Sequence, residues 1–254
     1  MTSLKSVIGF FAHPDDETVL AGGILAMLAR QGVPVHVVCA TRGEGGELGE
    51  PPVVLAQRDL GAVRMRELQC AVQALGASLT ILDYVDPVIG PDDLLSPFEA
   101  DFDTLAQQIA TLARQKKADL ILTHGADGEY GHPAHQLMHR AVMAAVARYE
   151  IKALVYTVAA NVPTIEDRLW NSNQPAHLAL DIRPWSAAKI KAMECHVSQH
   201  ALFKRRRKLK RVAEALRSVE SVRRMLPPLD DGEPPQDDFA DLLRTAGAWT
   251  PQHP

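Results

Sequence analysis

Residues 6–31 read SVIGFFAHPDDETVLAGGILAMLARQ, and the reading of this stretch decides the fold. Ser6–Ala12 is a short, unbroken apolar run of strand length, the pattern of a parallel strand buried on both faces. Thr18–Gln31 carries apolar side chains at helical spacing and stops at Gly32. Between the two lies the polar turn of AHPDDE, residues 12–17. A buried strand therefore feeds a helix through a turn dense in imidazole and carboxylate.

The same rhythm continues outward. Val33–Thr41 reads as a second strand, RGEGGELGEPP as a loop, Leu55–Leu75 as a helix and Leu79–Tyr84 as a third strand. A helix near Phe102–Lys116, a strand over Asp119–His124, a helix over His132–Tyr149 and a strand over Ala153–Ala160 follow. Strands alternating with helices predict an α/β fold: a Rossmann-like, doubly wound, mostly parallel sheet with helices on both faces. The usual strand order would be 3-2-1-4-5. Beyond Asn161 the pattern loosens to a strand over His177–Ile182, a helix over Trp185–Gln199, a very basic helix over 202–226 and a Pro- and Asp-rich tail. The expected organisation is one domain over residues 1–200, with 201–254 as a helical C-terminal extension packed on it or extending from it.

Composition sets the bounds. The 254 residues are 46% hydrophobic and 23% charged, which excludes a disordered chain. No apolar run approaches the roughly 18–20 residues of a bilayer span, and the amino end meets His and acids too early for a signal peptide. A cytoplasmic protein is the expectation. Cys39, Cys70 and Cys195 are an odd number, far apart and without a C-x-x-C, so they are expected to be reduced thiols. Net charge is −4, but Lys204–Arg224 holds ten basic and two acidic residues, leaving the remainder acidic. Attraction of the whole chain to nucleic acid is not expected; a local anionic partner stays open.

Ligands of doubly wound sheets gather where strand order reverses, at the carboxyl ends of the strands. Two polar clusters fall at such ends: AHPDDE after strand one, and HGADGEYGHPAH (His124–His135) after strand four. His13 and Asp16 are three apart in a turn, and His132 and His135 share one face of a helix start. Two imidazoles and a carboxylate make the three-ligand set of a catalytic divalent metal with an open position. His13, Asp16 and His135 are assigned as those ligands. Asp15 and His132 are then spare groups beside the metal, and His139 is a rival ligand one turn further along the same face. The bland alternative is that Asp15 or Asp16 merely caps the helix and the histidines lie on the surface.

These motifs resemble the LmbE-like, or PIG-L, zinc-dependent N-acetylglucosaminyl deacetylases. The resemblance spans roughly residues 5–200. It rests on AHPDDE, TRGEGGELG, RMRELQCAVQALGA (64–77), LDYVD (82–86), GHPAH (131–135) and KAMECHVSQ (191–199). It implies a Rossmann-like fold, zinc held by His13, Asp16 and His135, Asp15 as general base, and His132 as oxyanion stabiliser or proton donor. Arg64, Asp86 and Tyr130 match positions that contact the sugar or stabilise the intermediate. The implied substrate is an N-acetylated amino sugar, such as a GlcNAc–inositol, GlcNAc–malate or chitooligosaccharide, and the implied cofactor is Zn²⁺, with Fe²⁺ also suited to a His₂Asp set. Oligomeric state is left open, as the family often assembles. One position departs: the family reads H-P-D-H where this chain has His132-Pro133-Ala134-His135, so Asp127 or Glu129 would have to supply the missing carboxylate.

Three other readings compete. A dinucleotide enzyme needs a glycine fingerprint after strand one, where this chain has HPDDE. An amidase for a thiol-conjugate or other N-acyl substrate would use the same metal chemistry. The run KRRRKLKR (Lys204–Arg211) points to nucleic-acid or anionic-lipid binding, against the plainer reading of a solvated helix face paired with the acidic tail around 230–241.

Overall fold

The computed structural model describes residues 4–90, 94–167, 169–205, 208–229 and 233–252. The chain runs β1 (Val7–Phe11), α1 (Asp16–Arg30), β2 (Val35–Thr41), α2 (Leu60–Ala74), β3 (Ser78–Tyr84), α3 (Phe102–Gln115) and β4 (Leu120–Thr123). It continues with the single turn α4 (Gly128–Gly131), then α5 (Pro133–Arg148), β5 (Leu154–Val158), β6 (Ala160–Asn161), β7 (Asn171–Pro175) and β8 (Leu178–Asp181). The last elements are α6 (Ser186–Cys195), α7 (His200–Arg205), β9 (Val219–Leu226) and α8 (Asp238–Thr245).

The main sheet has the order β3-β2-β1-β4-β5-β9-β8. β1 pairs in parallel with β2 and with β4, placing Val7 opposite Val35 on one side and Leu120 on the other. Every residue of β1, β2 and β4 is buried, as continuous apolar runs require in a sheet covered on both faces. The two-residue alternation sorts β1 cleanly. Val7 and Phe11 enter a core with α1, α2, α6 and α8, while Ile8 and Phe10 enter a second core with α3 and α5. The doubly wound reading is borne out, and strand order reverses between β1 and β4.

Two expectations fail. The basic segment 202–226 is not one helix: α7 ends at Arg205, a 3-10 turn covers Val212–Ala215, and Val219–Leu226 is β9, antiparallel between β5 and β8. Charge counting hid a strand in VESVRRML, whose Glu220, Ser221 and Val222 are buried in the sheet. Several described basic side chains pair across the fold, Arg205 with Glu47 and Glu50, Arg217 with Asp167, and Arg224 with Asp237. Residues 206–207 of the basic run and 230–232 of the acidic tail lie outside the described residues.

The cysteines are the second correction. Cys70 and Cys195 form a disulfide between α2 and α6, and only Cys39 is free and buried. The two helices pack side by side, so residues 125 positions apart become neighbours, a proximity that spacing cannot reveal. Among the described residues no helix is long and apolar enough to cross a membrane.

β9 is tied to α1 by a buried charge. Glu220 accepts hydrogen bonds from the backbone N–H groups of Gly23 and Ile24 at 2.7 and 2.8 Å, and from Lys189 Nζ at 2.7 Å. Lys189 Nζ also donates to Val19 O at 3.0 Å. Both side chains are essentially inaccessible to water, so each charge depends on the other. Glu220→Ala is expected to lower stability by about 3–5 kcal/mol in denaturant titration, because it strands a buried ammonium. Joint replacement by Lys189→Met and Glu220→Leu should cost clearly less.

Candidate metal centre and active site

The turn after β1 is built around Asp15, whose φ of 103° lies in the left-handed region. Such a backbone costs on the order of 1–3 kcal/mol for a residue with a Cβ and needs support from around it. Glu17 Oε2 accepts the Asp15 N–H at 3.1 Å, and Asp16 Oδ2 accepts the His13 N–H at 2.8 Å. Arg64 Nη2 donates to Pro14 O at 2.6 Å and Arg64 Nη1 to Gly43 O at 3.0 Å. Gly43 has φ +67°, and any Cβ there would strike the Arg64 guanidinium, so only glycine admits this brace. Neither acid acts as the expected simple cap: Asp15 makes no capping side-chain bond, and the Asp16 carboxylate reaches back to His13.

The opposite wall grows from β4. His124 is fully buried, its Nε2 accepting the Ala12 N–H at 3.0 Å and thereby stitching the two strand ends together. His132 caps α5 through its Nδ1, which accepts the Ala134 N–H at 3.2 Å. That bond leaves the proton of a neutral ring on Nε2. His135, one turn on, brings its Nε2 to 3.2 Å from His13 Nδ1 and 3.3 Å from Asp16 Oδ1. His13 Nδ1 is 3.3 Å from Asp16 Oδ2.

The contacts among these three residues, which use both Asp16 oxygens, meet a simple geometric expectation. Tetrahedral ligands at about 2.0–2.1 Å from a metal stand about 3.3–3.4 Å from one another. Among the described residues, two overlapping groups have metal-ligand spacing, His13–His132–His135 and Asp16–His124–His135, with His135 common to both. His124 Nε2 and His132 Nδ1 already accept backbone N–H groups. His13 and Asp16, which each share a group with His135, are the candidates to hold a divalent cation with it. His139 faces away, its Nδ1 donating to His124 O at 2.9 Å.

Each of the two outer histidines is backed by a carboxylate. His13 Nε2 lies 3.2 Å from Asp86 Oδ1, and Asp86 is held by Glu44 Oε2, which accepts its N–H at 3.0 Å. His135 Nδ1 donates to Glu129 Oε2 at 2.5 Å, and the same oxygen stands 3.0 Å from His124 Nδ1. Glu129 sits at φ 61°, clamped by Asn171: Oδ1 accepts the Glu129 N–H at 3.1 Å while Nδ2 donates to Oε1 at 3.2 Å. Burial opposes its ionisation, but His124 and His135 outweigh that and hold the carboxyl well below its ordinary range. A carboxylate on the distal ring nitrogen fixes tautomer and orientation, leaving the near nitrogen free for a metal.

Asp15 and His132 border the cluster with opposite electrostatics. Burial raises the Asp15 carboxyl to about 6, although the Arg64 guanidinium 3.5 Å away pulls it down. Burial and the neighbouring His135 and His13 lower His132 to about 3, so its ring is neutral near pH 7. Among the described residues no carboxylate takes the place left by Ala134. Glu129 serves His124 and His135 instead, and Asp127 accepts the Asn173 N–H at 2.7 Å. Tyr130 stands half exposed at the mouth, edge-on to His132 and His135 with centroids 5.7 Å away.

The residues singled out in the sequence thus converge, but not all face a ligand equally. Arg64 is 3% exposed and supports the turn, and Asp86 backs His13. Sequence reasoning missed the role of His124, named Glu129 only as a stand-in for the carboxylate lost at Ala134, and missed the buried contact of Glu17 Oε1 with His196 Nε2 at 3.2 Å. His124 and Glu129 both lay inside the quoted HGADGEYGHPAH cluster, and burial alone set them apart.

A Rossmann-like α/β chain with a His/Asp cluster at its strand switch point is the class that fold and site define. The comparisons place it within that class. Residues 8–146 match the family described as PIG-L: GlcNAc-PI de-N-acetylase, and the chain belongs to this family, which is metal-dependent. It is 30% identical over 231 residues to a 1D-myo-inositol 2-acetamido-2-deoxy-alpha-D-glucopyranoside deacetylase from Corynebacterium diphtheriae, covering 77% of this chain and 78% of that protein. In fold it is similar to the N,N'-diacetylchitobiose deacetylase of Pyrococcus horikoshii, with a TM-score of 0.63 and 19% identity over 88% of this chain and 84% of that one. It is similar also to a 4-carboxy-2-hydroxymuconate hydratase from Pseudomonas putida KT2440, with a TM-score of 0.62 and 23% identity over 91% of this chain and 100% of that one. Deacetylase and hydratase share the scaffold, so the scaffold alone does not select the reaction.

Glu129→Gln is expected to weaken divalent-metal retention about 10–100-fold, read by competition with a chromophoric chelator. Glu129→Asp should recover part of that loss.

Proposed function

We propose that the protein is a metal-dependent N-deacetylase acting on an N-acetylglucosamine-type substrate, releasing acetate and a free amine. The observation that carries this reading is the convergence of His13, Asp16 and His135 at 3.2–3.3 Å beside the carboxylate of Asp15. The relatives named for GlcNAc-type deacetylation support the substrate class. His13, Asp16 and His135 would hold the metal; Zn²⁺ suits the donor set, and Fe²⁺ shares the preference. A cation so held supplies Lewis acidity, polarising a carbonyl and acidifying water.

The protein's own groups do the rest. Asp15, with its carboxyl near 6, accepts the proton of the attacking water and returns it to the departing amine. Neutral His132 turns Nε2–H toward the oxyanion that develops on the amide carbonyl, a hydrogen bond that strengthens as charge builds. Arg64 keeps Asp15 in its left-handed turn, and Asp86 and Glu129 hold the two metal-side imidazoles in their tautomers. Tyr130 stands where the sugar would enter. Water adds to the carbonyl carbon, the C–N bond breaks, and the proton taken from water leaves with nitrogen, so atoms and charges balance.

Acetate release from methyl N-acetylglucosaminide, measured before and after chelation and after readdition of Zn²⁺, tests the reading. Loss and recovery are expected; activity that survives complete metal removal would overturn it. Asp15→Asn should keep its metal and lose about 10²–10⁴ in kcat. His13→Ala should instead emerge without stoichiometric metal, as metal analysis of the purified chain will read.

A further inference from the structure

The cavity over the cluster encloses about 730 Å³, the size of a site for a drug-sized ligand and far more than an acetyl group fills. Its walls away from the histidines mix polar groups with apolar ones, including buried Trp170 and Met193. Apolar side chains also stand at its rim. Val88, Ile89, Leu95 and Leu202 line it while 62%, 45%, 37% and 37% exposed. Large aliphatic side chains gathered in water around one opening mark a surface that something covers.

Charge narrows the occupant. The described cations that line the cavity are Arg64, Lys189 and Arg217. Each is committed to a carboxylate: Arg64 lies 3.5 Å from Asp15, Lys189 2.7 Å from Glu220 and Arg217 2.6 Å from Asp167. Arg64 and Lys189 are buried to within a few per cent, and the Arg217 Nη2, which has no hydrogen-bond partner, is closed to solvent. Arg217 also stacks on Trp170 with its guanidinium 4.5 Å from the ring centroid. Among the described residues the lining therefore presents carboxylates such as Glu47 and Glu166 but no open cation for a phosphate.

Resting on the deacetylase reading for the reacting end, we infer that the substrate carries an uncharged apolar group, alkyl or aryl, that lies against Val88, Ile89, Leu95 and Leu202. Such a group is attached either through the glycosidic oxygen or as a lengthened N-acyl chain. Both attachments offer the same chemistry to the rim, and anionic substituents are disfavoured by it.

Calorimetry of the metal-loaded full chain separates these cases without requiring turnover. One arm uses methyl, butyl, hexyl and octyl glucosaminides, the amine products of deacetylation. The second uses methyl glucosaminide bearing acetyl, butanoyl or octanoyl on nitrogen, and the third uses glucosamine 1-phosphate. Affinity is expected to rise about two- to fourfold per methylene in one of the first two arms, as burial of CH₂ groups dictates. Leu202→Asp and Ile89→Asp, both at exposed positions that the fold tolerates, should flatten that slope. Affinity independent of chain length in both arms, or tighter binding of the phosphate than of every alkyl compound, would falsify the inference. A shift in sedimentation on Leu202→Asp with the slope intact would equally overturn it, by assigning the rim to contact between copies. If the slope appears but no N-acetyl compound releases acetate, the deacetylase reading falls and the apolar subsite stands. Acetate release without a slope gives the converse.

Discussion

The side-by-side pairing of β1 and β4 is the constraint on which the site depends. Parallel register brings their carboxyl ends to one edge of the sheet, and the bond from Ala12 N–H to His124 Nε2 ties those ends together. Residues 122 positions apart then meet as His13 and His135. Without that pairing, each half offers an ordinary polar turn. With it, two imidazoles and a carboxylate stand at metal-ligand spacing in a pocket largely closed to water.

Concentrating so much buried charge has a cost that the surroundings offset. An isolated buried carboxylate or ammonium would be strongly unfavourable, and such groups persist where they are paired and hydrogen-bonded. Asp86 faces His13, Glu129 faces both His124 and His135, and Glu17 meets His196 while holding the Asp15 backbone. The left-handed backbones of Asp15 and Glu129 lie in this same network. Strain at both positions is held by hydrogen bonds and serves to aim carboxylates. The Lys189–Glu220 pair does related work further out, binding α6 and β9 to the helix that begins at Asp16.

Much of this was legible along the chain. The unbroken apolar runs of β1, β2 and β4, separated by helical periodicity, specify a covered parallel sheet because backbone geometry leaves few other ways to bury them. Motif chemistry pointed to both halves of the cluster. The errors have a common origin in pairing across distance. Ten cations in a short span looked like a basic helix, yet Val219–Leu226 is a strand captured between β5 and β8. Cys70 and Cys195 looked solitary until α2 and α6 packed together. Arg64, matched by resemblance to a sugar-contacting or intermediate-stabilising position, is buried under the HPDD turn. The missing carboxylate at Ala134 is not replaced on His132; Glu129 supports the neighbouring ring instead.

By itself the sequence determined which residues are apolar enough to form the sheet, where the turns fall, and which imidazoles and carboxylates are available at strand ends. Those are local properties, set by side-chain chemistry and by the two- and 3.6-residue periods of the backbone. Tertiary structure alone decided which of them touch. Ligand, carboxylate backing and brace are distinguished by ångströms and by exclusion from water, and both quantities exist only once distant segments have packed.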